Sequence, residues 1–152
     1  MRNLLVILIF IPSITMADSS LPIRERIKWA DENKCTISID REMFPFIPFL
    51  AATYNEKGVN NIKVKEKISS AVARGCDVNS IDQAGLSALN VGILFDQPDI
   101  VKLMLSLGAN PKLTIKSESG QLSGLDSLGF VEKLSSLKKP RKEIEALIRQ
   151  KV

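Results

Sequence analysis

Apolar residues along this chain recur in short stripes separated by polar breaks. In Lys67–Asn79 and again in Ile100–Lys112 the stripe falls at i, i+3 and i+4, the spacing that places side chains on one face of an α-helix. A glycine follows each stripe, Gly75 and Gly108, where a left-handed cap conformation is open to glycine at little cost. Glu143–Ile148 carries a last stripe, and Leu21–Asn33 places Ile23, Ile27 and Ala30 on one helical face with charges elsewhere. The pattern predicts short amphipathic helices, the first of them an N-terminal cap. Leu4–Ile14 is different, an apolar run broken only by Pro12 and Ser13.

The two stripes are copies of one another. Lys67–Asn79 aligns without gaps on Ile100–Lys112 at an offset of 33 residues, a period that belongs to stacked repeats. Between them lies Asp82-Gln83-Ala84-Gly85-Leu86-Ser87-Ala88-Leu89-Asn90-Val91-Gly92. This stretch resembles the Asp-x-x-Gly-x-Thr-Pro-Leu-His-x-Ala opening of the ankyrin repeat family, and Ile100–Asn110 resembles its Ile-Val-x-x-Leu-Leu-x-x-Gly-Ala-Asp close. The sequence departs from the family at Ser87, Ala88, Asn90 and Gly92. Ser87 keeps a capping hydroxyl and Asn90 a hydrogen-bonding side chain, whereas Gly92 lowers helix propensity by about 1 kcal/mol. Degenerate units flank this one: Ile47–Ala52 resembles an opening, with extra residues around Gly58–Lys65, and Ser117–Leu128 resembles another. The resemblance implies an all-α fold, an ankyrin-like solenoid of about three helix-turn-helix repeats over residues 46–152. A capping segment, 18–45, would precede it. An irregular helical bundle is the competing architecture.

Composition narrows the chemistry. Of 152 residues, 45% are apolar and 25% charged, the balance of one globular domain. There is no histidine, which excludes Ser-His-Asp and Cys-His catalysis and histidine pH switching. Two cysteines cannot make a four-thiolate zinc site, and neither metal nor cofactor is expected. Arg2, the apolar run and Thr15-Met16-Ala17 have the order of a secretory signal peptide spanning residues 1–17. An eleven-residue run crosses about half of a hydrocarbon core that takes roughly 20 residues. Export to the periplasm or beyond the cell is therefore expected, with no stable membrane insertion once the leader is removed. Oxidising surroundings would let Cys35 and Cys76 form a disulfide; two buried free thiols are the alternative.

Candidate chemistry is sparse. Asp40 with Glu42, and Asp96 with Asp99, are paired carboxylates of the kind found on solvated loops. Lys138-Lys139-Pro140-Arg141-Lys142 could meet an acidic surface or serve as a solvated lead into the last helix. Aromatic residues do not cluster around it, so nucleic acid is not an expected partner. Trp29 reads as packing of the N-terminal cap. If the ankyrin register holds, Ile81, Gln83, Ala84, Leu86, Leu94 and Phe95 occupy the variable, exposed positions of the concave face and fingertip turn. Several large apolar groups there would mark an interface; internal cover by the insertion near Gly58 is the alternative. The expected function is stoichiometric binding of another protein, most concretely a periplasmic immunity or inhibitor protein occluding an exported toxin, effector or enzyme. A scaffold or maturation partner of an exported enzyme is a second expectation, and a carboxylate-based hydrolase a third.

Overall fold

The computed structural model describes residues 22–117, 120–137 and 139–152. The expected leader, 1–17, and Lys138 lie outside them. Within them the chain runs α1 (Ile23–Arg26), β1 (Ile27–Trp29), β2 (Thr36–Ile39), β3 (Glu42–Pro45), α2 (Phe46–Thr53), α3 (Asn61–Ala73), α4 (Ala88–Leu94), α5 (Pro98–Ser106), α6 (Ser127–Leu137) and α7 (Lys142–Arg149).

The sheet corrects the expected all-α solenoid. β1, β2 and β3 form a three-stranded antiparallel sheet in that order, so the fold is mixed. The helix expected as a cap over Leu21–Asn33 stops at Arg26. The reason lies downstream, in Thr36-Ile37-Ser38-Ile39, where β-branched and polar residues alternate with a period of two and Ile37 and Ile39 point inward. Asp40 and Arg41 both take positive φ, 51° and 74°. That two-residue turn matches the twist of the strands it joins and sets Ile39 opposite Glu42. β2 is then left with an open edge. β1 pairs with it, Ile27 opposite Ile39 and Trp29 opposite Ile37, while the Asp31 carboxylate accepts from the Cys35 amide at 2.8 Å and closes the connecting loop.

Cys35 and Cys76 are bridged, with 5.3 Å between their α-carbons and 41 residues between them in sequence. The bond ties the start of β2 to the turn after α3. Closing a loop of this length stabilises a fold by about 4 kcal/mol in the chain-entropy treatment.

Six longer helices follow as three consecutive pairs, α2 with α3, α4 with α5, and α6 with α7, each helix packing on its pair mate. α4 also packs on α2 and on α6, and α5 on α7, so the middle pair is covered on both sides. The apolar faces meet in one continuous core that includes Ile47, Ile68, Leu89, Met104, Phe130 and Ile148. Ile37 and Ile39 are buried under the sheet, apart from that core. Among the described residues, no helix is long and apolar enough to cross a membrane.

The 33-residue repeat is structural as well as sequential. Gly75 and Gly108 have φ of 95° and 92°. At both, the amide two past the cap returns to the third-last helical carbonyl, Cys76 to Ala71 and Ala109 to Met104, closing α3 and α5 by one motif. The turns beyond match too, Asp77 accepting from the Asn79 amide and Asn110 from the Lys112 amide. Asn79 then accepts from the Asn110 amide at 2.8 Å, joining one turn to the next. Gly92, where the ankyrin pattern has alanine, lets α4 approach α5: a Cβ there would lie 3.0 Å from Ile100 Cγ2.

Gly85 is the most constrained turn residue. Its φ is 76° and a Cβ would lie 2.1 Å from the Lys116 carbonyl oxygen, whereas the site of a Cβ at Gly75 is open. Gly85→Ala should therefore lower unfolding free energy by more than about 3 kcal/mol and Gly75→Ala by about 1 kcal/mol, the cost of left-handed backbone alone. Urea denaturation of the two variants checks this; equal losses would contradict it.

Candidate functional site

Of the six positions expected to form a binding face, Ile81, Gln83, Ala84 and Leu86 precede the short helix α4, Leu94 ends it and Phe95 caps it. Ile81, half-buried, forms an isolated bridge with Ser87. Gln83 and Ala84 are exposed at the tip of the turn, and Gln83 Nε2 donates to the Met43 carbonyl of β3 at 3.3 Å. Leu86 is only 6% exposed and belongs to the core. It precedes the N-cap Ser87, whose hydroxyl accepts from the Asn90 amide. Leu86 and Val91 thus hold the positions that staple a helix start, and both are buried. Leu94 is half-buried against the core. Phe95 is 54% exposed. What remains of the expected face is the Gln83-Ala84 tip at one end of α4 and Phe95 at the other.

The turn that carries Phe95 is held from two sides. Arg141, 7% exposed, reaches across from the start of α7, its Nε donating to the Ile93 carbonyl at 3.0 Å and its Nη2 to the Leu94 carbonyl at 3.2 Å. A guanidinium there adds a charged donor to the Ile93 carbonyl, which also accepts from the Asp96 amide at 3.2 Å, and opposes the negative end of the helix dipole. Asp96, in left-handed conformation with φ 54°, lies 3.9 Å from the same guanidinium. From the other side Gln97 Nε2 donates to the Tyr54 carbonyl at 2.9 Å, and the Tyr54 hydroxyl donates to Asp99 at 2.9 Å. Asn90 adds a buried tie to the next pair, accepting from the Ser127 hydroxyl at 3.0 Å.

This arrangement reassigns the basic cluster. Lys139 and Lys142 are exposed, but the cation between them is turned into the protein. A cluster of charges in sequence gives no sign of which member points inward, and Arg141 escaped the sequence reading for that reason. The carboxylate candidates are exposed: Asp40 pairs with Arg26, and Asp99 meets Tyr54 and Lys65. Among the described residues no group of three potential metal-ligating side chains comes together.

A second surface was not anticipated at all. Two cavities, about 400 Å³ and 440 Å³, share Ile27, Phe49, Leu50 and Lys67, forming one groove between β1 and the first helix pair. Trp29, 46% exposed, stands edge-on to Phe46 at 4.8 Å between ring centroids and walls one end. Reading Ile27 and Trp29 as helical hid this groove. The cation spacing on α3 and its C-cap, Lys63-Lys67-Arg74 beside the buried stripe Val64-Ile68-Ala71, was the available signal.

No protein-family model matches the chain, and a search of curated proteins finds no significant similarity.

Two measurements probe the frame. Arg141→Ala leaves the Ile93 and Leu94 carbonyls without this donor and should lower stability by about 3 kcal/mol, with Arg141→Lys between that and the parent; a loss under about 0.5 kcal/mol by urea denaturation would contradict the assignment. Tyr54 is the only tyrosine. Burial, and then the Asp99 acceptor and its charge, hold its hydroxyl above the ordinary 10.0. Because the folded value lies above the unfolded one, this contribution to stability is complete below pH 10 and is lost as pH rises through the folded value. Phenolate absorbance should give a midpoint above 10.0 when folded, and Asp99→Asn should bring it closer to 10.0. A native midpoint at or below 10.0 would contradict the contact.

Proposed function

We propose that this chain is an exported protein-binding module, built on ankyrin-like helix pairs with a sheet at one end, that inhibits its partner by stoichiometric occlusion. The supporting observation is Phe95, a large apolar side chain left in solvent on a turn that Arg141, Gln97 and Tyr54 hold in place. An aromatic anchor on a fixed turn loses little conformational entropy on association, and such anchors dominate interface energetics. Exposed Gln83 and Ala84 at the far end of α4 contribute rim contacts. The Cys35–Cys76 bond suits an oxidising compartment, in keeping with a cleaved leader over residues 1–17 and a periplasmic or secreted protein.

Copurification from the exported fraction tests this reading. A one-to-one complex whose partner is an enzyme or toxin silent until released is expected. Phe95→Asp should weaken the complex by about 2 kcal/mol or more while leaving the thermal midpoint within a few degrees, because the side chain is outside the core. An active enzyme in the complex would make the chain a scaffold instead. A complex indifferent to Phe95→Asp would remove the proposed anchor.

A further inference from the structure

The groove between β1 and the first helix pair is lined by one sign of charge. Its floor is apolar, with Ile27, Phe49 and Leu50 common to both cavities. Along its rim Lys63, Lys67 and Ser70 of α3 and its C-cap Arg74 follow one another at i, i+4, i+7 and i+11, a stripe about 16 Å long at helical rise. Lys34 extends the rim at the Arg74 end. Among the described residues, no acidic side chain lines either cavity. Among the described residues, none of these four cations is in an ion pair. Arg74 is set in place by the Asn33 and Lys34 carbonyls, at 3.5 and 3.3 Å.

We propose that this groove docks an acidic amphipathic helix of a partner protein, its apolar side on the Phe49–Leu50 floor and its carboxylates along the α3 stripe. This rests on the reading that the partner is a protein. A fatty acid or other single-headed amphiphile needs cations at one end of an apolar slot. Here they stand along the length, Lys63 and Lys67 one helical turn apart, which matches carboxylates repeating every turn on a helix laid alongside. A second copy of this chain fits poorly. It carries a net charge of +4, and its helix with two acids in the first turn, α7, has Ile144 and Ile148 buried in its own core.

Trp29 is the only tryptophan and lines the groove, so its emission reports occupancy. Full-length chain is panned against a library of random peptides of about 16 residues, long enough as helices to cover the stripe. Selected peptides and oleate are then titrated while Trp29 fluorescence is followed. Enriched peptides should combine Asp or Glu with apolar residues at helical spacing, give a saturable emission change, and bind less tightly as salt rises. The Lys63→Glu/Lys67→Glu chain should bind them at least about tenfold more weakly with unchanged circular dichroism, and Lys67→Gln should lie between. Neutral or basic winners, no saturable change at Trp29, or equal binding to the double variant would overturn the proposal. So would oleate that saturates Trp29 and displaces the peptides. Failure here leaves the copurified complex and its dependence on Phe95 untouched, so the two readings fall separately.

Discussion

A pair of short helices joined by a tight turn has more apolar surface than its two members can hide from water by touching each other. Every pair in this protein therefore depends on a neighbour. The middle pair, α4 and α5, has one on each side, and it holds fully buried residues such as Ile93, Ile100 and Met104. The outer pairs each have one helical neighbour. At the leading end, the three-stranded sheet covers α2 in part, and the Cys35–Cys76 bond fixes that cover to α3. Incomplete cover is what creates the groove.

Apolar stacking alone does not fix how one pair sits on the next, because such contacts have little directional preference. The buried polar ties do. Gln97 to the Tyr54 carbonyl, Asn90 with Ser127, and Arg141 on the Ile93 and Leu94 carbonyls each join neighbouring units at defined atoms. A slip between pairs would leave several of these groups buried without partners, at a cost of about 1–3 kcal/mol each. The turn that presents Phe95 lies where two of these ties converge, which is how a fold this small holds an exposed aromatic in one place.

The repeated parts of the fold were readable from sequence because their causes are local. A glycine after a helical stripe and a serine before one each act within a few residues, and Gly75 and Ser87 took the positions their chemistry suggests. The sheet was not readable in the same way. Ile27-Lys28-Trp29 suits a helix through Ile23, Ile27 and Ala30 as well as a strand, and what decides is the open edge of β2 ten residues further on. Leu86 departs from the exposed position that the ankyrin register implies because, just before the N-cap Ser87, it holds the staple position whose counterpart is buried Val91. The groove needed two elements about forty residues apart, β1 and α3, which no local pattern joins.

Amide hydrogen exchange, with the disulfide intact and then reduced, tests most directly whether the sheet is a clamp held by that bond over one end of an otherwise self-supporting stack. Reduction should release the amides of Ile27–Pro45 while those of α4 to α7 stay protected. Equal loss of protection in sheet and helices, or a sheet indifferent to reduction, would contradict the account.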